Sequence, residues 1–294
     1  TNTLGTSNFV AGVNAGNSIT SGGNYNVVVG DEAGTAITTG DYNVGVGYNA
    51  GRDETTGQQN TFIGGFAGAD ATTGSLNTGI GYSSLGANGA DNTGSNNTAL
   101  GGFALQNNTT ASNNTAVGKS ALIANTTGAS NTAVGKDSLA ANTTASNNTA
   151  VGKGSMLRNT TGASNTAVGF ESLVINTTGA NNTAVGDNAL NVSTTASNNT
   201  AVGKSSLAAN TTGAANVAVG YLSLSANTTA ADNTAVGAQS LQVNTVGASN
   251  SAFGRYTLQN NTASNNTAVG RSALQENTTG AYNTALGTSA LGAN

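Results

Sequence analysis

One pentapeptide, NTAVG at residues 114–118, returns in recognisable form along nearly the whole chain and limits the possible folds more than any other feature. Its opening Asn stands at positions 8, 26, 43, 60, 77, 97, 114, 131, 148, 165, 182, 199, 216, 233, 250, 266 and 283. The interval is seventeen residues, except for eighteen after Asn8, twenty after Asn77 and sixteen after Asn250. A short fixed period predicts stacked units, each of which needs its neighbours to bury a core.

The length of the period favours β-structure over helices. Seventeen residues are too few for two helices with their turns, and a leucine-rich repeat needs at least about 20. The 42 Gly and the many β-branched residues disfavour helix, and the absence of Pro suits a backbone whose N–H groups donate to a ladder. The sequence therefore predicts an all-β fold, a parallel β-solenoid (β-roll) of about seventeen coils with one 17-residue repeat per coil.

The repeats divide into two types within a single predicted repeat domain, 1–294. Residues 1–84 are Gly-type coils, with Gly34, Gly51 and Gly68 four residues after the strand Gly, and they are more acidic. Residues 85–96 are predicted to form a loop insertion. Residues 97–294 are regular coils in which Leu, as in Leu122, takes the place of that second Gly.

The alternation of side chains in NTAVG separates two faces of a strand, because successive side chains point in opposite directions. We call a fixed position in the repeat a phase and name it by one residue that occupies it. We expect the Val117 phase to line the coil interior together with the Leu122 phase. The Ala116 phase is small in almost every coil, with Val28 and Phe62 as exceptions. A solvent-facing position has no reason to exclude large polar residues, so we expect this row to pack against other chains and predict a homotrimer.

Asn recurs at a second fixed phase, three residues after the Leu, as in Asn125 and Asn142. Identical amide side chains that stack at strand spacing can bond to one another along the stack. The repeat therefore predicts amide ladders running from coil to coil.

The residue that follows the strand Gly forms the candidate binding row. It accepts Phe170 and Asp187 and takes six of the eight basic residues, so it must point away from the core. Aromatic and basic side chains in one stripe suit a cell-surface glycan or an acidic polymer; the alternative is an exposed corner that only keeps the coils soluble. The predicted binding residues are Tyr48, Tyr82, Lys119, Lys136, Lys153, Lys204, Tyr221, Arg255 and Arg271.

Composition and motifs argue against catalysis and cofactors. The chain has no Cys and no His, and it lacks the nucleotide-binding glycine patterns and the calcium-binding nonapeptide GGxGxDxUx. The acids of the early coils repeat at no common phase, so we interpret them as solvated surface charge and predict no catalytic residue, metal site or cofactor. They are Asp31, Glu32, Asp41, Asp53, Glu54 and Asp70.

Charge and hydropathy also limit the partners. A net charge of −4 with only 8 basic residues does not suit nucleic acid, whose backbone needs many more cations. No apolar run approaches the roughly 18 residues of a membrane span, so no membrane insertion is expected. Because the chain begins and ends inside the repeat pattern, we expect a processed product or a window of a longer fibre.

Repeats of the form NTAVGxxALxxNTTGxx, seen from Asn114 to Gly270, resemble the head repeats of trimeric autotransporter adhesins and the shaft repeats of related phage tail fibres. The resemblance covers nearly the whole chain. It implies a parallel β-roll, three chains around one axis, and an extracellular location at a cell surface or on a virion. The adhesin repeat is usually nearer fourteen residues, and a stalk or anchor is not seen here, so the shape carries over better than any binding residue.

These observations predict a structural and adhesive shaft of an extracellular fibre without enzymatic activity. One alternative is an ice-binding or surface-filament β-solenoid, suggested by the Thr-rich coils, although Thr126 and Thr127 are adjacent and so point to opposite faces. A less favoured alternative is a tailspike that depolymerises polysaccharide, which needs a fixed carboxylate pair.

Overall fold

The computed structural model describes residues 5–86 and 89–292 and divides the chain into two compact units, one ending at Asn147 and one beginning at Asn148. Every regular element in both units is a short β-strand, and the described residues contain no α-helix. Accordingly, no helix in the described part of the chain is long and apolar enough to cross a membrane.

Each coil contributes one strand of three residues. The first unit holds β1 Phe9–Ala11, β2 Val27–Val29, β3 Val44–Val46, β4 Thr61–Ile63, β5 Thr78–Ile80, β6 Thr98–Leu100, β7 Thr115–Val117 and β8 Thr132–Val134. The second unit holds β9 Thr149–Val151, β10 Thr166–Val168, β11 Thr183–Val185, β12 Thr200–Val202, β13 Val217–Val219, β14 Thr234–Val236, β15 Ser251–Phe253, β16 Thr267–Val269 and β17 Thr284–Leu286.

Within each unit, consecutive strands pair in parallel and in register. Thr115 lies opposite Thr132 in the first unit, and Thr183 lies opposite Thr200 in the second. The irregular intervals of the sequence are absorbed outside the strands, since β5 and β6 still pair Thr78 with Thr98. The prediction of a parallel β-solenoid with one repeat per coil is therefore confirmed.

The Gly that ends the motif is required by the close approach of neighbouring coils. Gly118 has φ of 127°, and a Cβ on it would lie 2.7 Å from the carbonyl carbon of Gly135 in the next coil. No side chain fits between two backbones at that distance, and few L-residues adopt that φ. The strand consequently ends and turns at the same point in every coil.

The expectation about which strand face is buried is wrong. Ala116 is fully buried within the single chain, and the strand-centre residue is buried in the same way in coil after coil, whereas Thr115 and Val117 on either side of it are half-buried and face outward. The Ala row therefore lines the interior of its own coil, and it is not a surface for another chain.

The physical reason lies on the opposite wall of the coil. Leu122, in the left-handed region at φ 52°, is fully buried and fills the narrow interior, which leaves room for only a methyl group at Ala116. In the coils of β2 and β4, where Gly replaces that Leu, the strand centre supplies the volume instead, whereas the coil of β3 has Gly at both positions, Gly45 and Gly51. Of the three larger residues in the Ala row, Val28 and Phe62 are buried in the Gly-type coils, and Val10 is half-buried.

Two rows of buried Asn complete the core, and the repeat predicted amide stacking for the second of them. Asn114 Oδ1 accepts the N–H of Asn131 at 2.9 Å, and its Nδ2 donates to the carbonyl of Gly128 at 2.9 Å. In the second row, Asn142 Nδ2 donates to Asn125 Oδ1 at 2.8 Å. The amides thus satisfy the backbone groups of the corners, which a purely apolar core would leave unpaired.

The insertion at 85–96 is attached to the preceding coil through Asp70. Asp70 Oδ2 accepts the N–H of Gly89 at 2.9 Å, and its carbonyl accepts the N–H of Asn92 at 2.8 Å. Residues 87 and 88 lie outside the described part of the chain. The described part of the insertion is therefore held at one corner, and β5 and β6 stay paired across it.

Candidate functional site

The corner that follows each strand presents the predicted binding row to solvent. All nine predicted residues of this row are exposed: Tyr48, Tyr82, Lys119, Lys136, Lys153, Lys204, Tyr221, Arg255 and Arg271. The structure therefore confirms that the row points away from the core. It does not test what the row binds.

Several cations of this row have partners within their own unit. Lys136 lies 3.3 Å from Asp137, Lys204 lies 3.8 Å from Asp187, and Lys153 and Arg255 lie over the rings of Phe170 and Tyr256 at 5.4 and 4.3 Å. Exposed ion pairs of this kind contribute little to stability. They do lower the local positive charge, so the row is less suited to an acidic polymer than its basic residues suggest.

The aromatic part of the row is more ordered than the sequence indicates. In four successive coils of the first unit the rings of Tyr48, Phe66, Tyr82 and Phe103 pack edge to face, with centroids 5.2, 5.8 and 5.5 Å apart. We call these four residues the aromatic ladder. Sequence reasoning found Tyr48 and Tyr82 but missed the two Phe residues, because each stands one position later in its coil.

Glycine in alternate coils makes this offset possible. We number each coil by the strand that it contains. Coils 4 and 6 carry Gly65 and Gly102 immediately after the strand Gly, and the Phe follows. A Cβ on Gly65 would lie 3.6 Å from Cδ2 of Tyr82, so the ring of Tyr82 rests against a bare backbone. The Gly-Phe dipeptides at this corner were the sequence signal for the complete ladder.

The outward strand face lies beside this corner. Its two columns are the first and third residues of each strand, mostly Thr and Val, and they are in register, as in Val185 opposite Val202. Ile63, Ile80 and Leu100 in the third position are exposed. An apolar column therefore runs along the outside of each unit.

The corner that precedes the strand carries a second aromatic group in the first unit. The rings of Tyr25 and Tyr42 are stacked with centroids 4.9 Å apart and an interplanar angle of 9°, and both side chains are exposed. In the early coils, aromatic side chains thus lie on both sides of the outward strand face.

The acids of the early coils are less uniform than predicted. Glu54 and Asp70 are buried, which corrects their interpretation as solvated surface charge. Nη2 of Arg52 lies 2.6 Å from Asp53 Oδ2 and 2.9 Å from Asp70 Oδ1, so the carboxylates of Asp53 and Asp70 share one guanidinium. Asp70 also holds the insertion, since its Oδ2 accepts the N–H of Gly89.

Glu54 occupies the phase that Asn125 takes in the regular coils. It is 1% exposed, its Oε1 accepts the N–H of Gly57 at 2.8 Å, and Asn60 Nδ2 donates to its Oε2 at 3.1 Å. Burial raises the pKa of Glu54 to about 8, against the opposing effect of the backbone hydrogen bonds. Burial therefore shifts the carboxyl towards its protonated form at neutral pH.

A pocket of about 10 Å³ borders the carboxyl of Glu54 and is lined by Gly45, Gly51, Ile37 and Phe62 among others. It lies where coil 3 has small residues both at its strand centre and at the Leu phase. A volume of this size holds at most about one water molecule. The pocket is thus a packing defect of the Gly-type coils and is too small for a substrate.

Among residues 5–86 and 89–292, no three acidic side chains come together as a potential metal site. No protein-family model matches the chain, and no curated protein matches its sequence. The features that point to a function are therefore the outward strand face, the exposed corner row and the aromatic ladder.

Proposed function

We propose that the chain is the structural and adhesive shaft of an extracellular fibre, at a cell surface or on a virion, and that three copies assemble side by side. The observation that carries this proposal is the outward strand face, on which the same half-buried Thr and Val positions recur in coil after coil of each unit. A regularly repeated, partly apolar surface on a single chain is typical of an interaction site.

The assembly we propose uses the Thr and Val columns in place of the Ala row. Val185 and Val202 are in register and half-buried in the single chain, so a second copy can cover them without any change in the coil. Each covered Val contributes on the order of 1 kcal/mol, and repetition along the fibre multiplies that contribution. Many weak identical contacts then hold the chains together.

Native mass measurement tests the assembly. We expect the parent protein at three times its chain mass of 28.4 kDa, and the double variant Val185→Gln/Val202→Gln to dissociate into single chains at a protein concentration at which the parent stays assembled, with the circular dichroism of the parent. Lys204→Gln, on the neighbouring corner, is the matched control and should leave the assembled mass unchanged. A parent protein that is a stable monomer at micromolar concentration overturns the proposed assembly.

The adhesive part of the proposal rests on the exposed corner row, which offers rings and polar side chains at regular intervals to a cell-surface glycan. We also propose that the chain carries out no catalysis, binds no nucleic acid and does not insert into a membrane. Asp53 and Asp70, on adjacent coils, both form ion pairs with Arg52. A glycosidase instead needs two carboxyl groups that face the scissile bond from either side.

A depolymerase is tested directly by incubating the protein with capsular or plant polysaccharide and measuring the chain length of the product. Unchanged chain length is expected. Shortened chains that persist in a repurified preparation would show that the protein is a tailspike-like enzyme.

An ice-binding solenoid is a second candidate, and the outward strand face favours it. Thr126 and Thr127 do not form paired columns: Thr126 is half-buried, with Oγ1 donating to the carbonyl of Thr143, while Thr127 is exposed. The strand positions do form paired columns, with Thr183 and Val185 pointing to the same side. Thermal hysteresis at millimolar protein would establish ice binding. Its absence would exclude ice binding and favour the fibre shaft.

A further inference from the structure

The aromatic ladder is confined to four coils, and the shaft function does not require it, since regular coils stack without it. Tyr48 and Tyr82 are 53% and 54% exposed. The ring of Tyr48 nevertheless packs against Phe66, and the ring of Tyr82 packs against both Phe66 and Phe103. A purely structural ladder would bury its rings. These two rings instead keep half of their surface in water while their orientation is held by neighbours.

We propose that the aromatic ladder binds an uncharged, extended β-1,4-linked polysaccharide that lies along the stacking direction of the coils. This inference deepens the adhesive part of the proposed function and rests on it. It names the ligand class and the segment of the chain that binds it.

The spacing of the exposed rings carries the argument for an extended chain. Tyr48 and Tyr82 lie two coils apart, roughly 10 Å at a strand spacing of about 4.8 Å. That distance is comparable to the length of a disaccharide unit in an extended β-1,4-linked polymer. One tyrosine ring can therefore contact every second sugar, with the intervening sugar over Phe66 and Gly65.

The chemistry of the ladder suits a sugar ring. The C–H groups on one side of a pyranose form an apolar surface that packs on an aromatic ring, and the Tyr hydroxyls supply polar contacts at its edge. Phe66 is pre-ordered, because its N–H donates to the carbonyl of Tyr48 at 2.8 Å and its φ of 59° fixes the corner. Rings that are already held in place lose little conformational entropy on binding.

The distribution of charge selects an uncharged ligand. In coils 3 to 6 the two corner positions after the strand Gly contain no charged residue; they are Tyr48, Asn49, Gly65, Phe66, Tyr82, Ser83, Gly102 and Phe103. The same positions carry Asp31 and Glu32 in coil 2, and Lys119 in coil 7. The ladder is thus a neutral surface between an acidic end and a basic end, and an acidic polymer would meet Asp31 and Glu32.

Affinity gel electrophoresis of the full chain tests the proposal, with hydroxyethyl cellulose, galactomannan and soluble arabinoxylan as β-1,4-linked probes. Dextran, whose α-1,6-linked chain is not extended, and alginate, which is acidic, are cast in parallel gels. We expect at least one β-1,4-linked probe to retard the parent protein, and neither dextran nor alginate to do so. Equal retardation by dextran or alginate, or no retardation by any of the three β-1,4-linked probes, overturns the proposal.

Variants locate the site. Tyr48→Ala/Tyr82→Ala should weaken binding of the retarding probe at least tenfold, whereas Tyr48→Phe/Tyr82→Phe should retain most of the affinity. The matched control is Tyr25→Ala/Tyr42→Ala, which removes two exposed stacked rings from the other corner of the first unit. Circular dichroism of each variant shows that the coils are intact. If the control loses binding as strongly as the ladder variant, the ladder is not the site.

The two proposals fail separately. If the protein is a trimer and no β-1,4-linked probe retards it, the proposed shaft stands and the proposed glycan site on the aromatic ladder is overturned. A monomer that is retarded, and that loses retardation with Tyr48→Ala/Tyr82→Ala, would retain the glycan site and overturn the shaft.

Discussion

Phe62 and Gly68 compete for one space in the interior of coil 4. A Cβ on Gly68 would lie 2.5 Å from Cε1 of the Phe62 ring, and Phe62 itself is 2% exposed. In the regular coils the same two phases hold Ala and Leu, as in Ala99 and Leu105, both buried. Large and small residues therefore exchange sides of the coil while its interior stays filled.

A double-mutant cycle on this pair is the first prediction. Phe62→Ala should destabilise the protein by about 3–5 kcal/mol through the cavity it leaves, and Gly68→Leu by roughly 1–3 kcal/mol through overpacking. Gly68 has φ of 58°, close to the 51° of Leu105, so the backbone accepts Leu. The double variant recreates a regular coil, and chemical denaturation should show it to be less destabilised than the sum of the single changes. Strict additivity would contradict the exchange.

The second prediction concerns the corrected strand face. Ala167→Gln should destabilise its own coil by about 3 kcal/mol or more, because it overfills the interior and buries an amide without partners. Val168→Thr, on the outward face of the same strand, should cost less than about 1 kcal/mol. Amide hydrogen exchange of β9 to β11 reports both effects. Faster exchange in the Val168 variant than in the Ala167 variant would contradict the burial of the Ala167 face and the exposure of the Val168 face.

The third prediction addresses the Asn rows. Asn182 Oδ1 accepts the N–H of Asn199 at 3.0 Å and its Nδ2 donates to the carbonyl of Ala196 at 2.8 Å. Asn182→Ala strands both buried groups, so a loss of about 2–6 kcal/mol is expected. Thr178→Ala, at an exposed position of the preceding coil, should stay within about 0.5 kcal/mol. Urea unfolding of the two variants compares them, and equal midpoints would argue that the amide row is dispensable.

The fourth prediction concerns the pH dependence that Glu54 introduces. Its pKa is raised from 4.5 to about 8, so the folded protein keeps a proton that the unfolded chain has already lost above pH 4.5. Stability should therefore fall as pH rises from about 4.5 to 8, by several kcal/mol in total, and level off above that range.

Glu54→Gln, which keeps the size and stays neutral, should remove most of this pH dependence and be more stable than the parent at pH 9. Asp232→Asn, at an exposed corner, is the control and should leave the dependence unchanged. Thermal unfolding at pH 5, 7 and 9 makes the comparison. A parent protein that gains stability between pH 5 and 9 relative to Glu54→Gln would show that Glu54 is ionised in the folded state.

The sequence by itself determined the number of coils and their register. The intervals between successive motif Asn residues equal the offsets between paired strands, including the twenty residues between Thr78 and Thr98. The exposure of the corner row was also predictable, because a position that holds Lys, Tyr and Asp in different coils cannot be buried. Both inferences depend on local rules that repeat in every coil.

Only the tertiary structure decided which strand face is inside. A period of two separates Ala116 from Val117 but is symmetric with respect to inside and outside. The choice depends on the volume that Leu122 supplies from the opposite wall, which lies several residues away in sequence. The aromatic ladder and the burial of Glu54 were hidden for the same reason: each depends on side chains from different coils that meet across the stack.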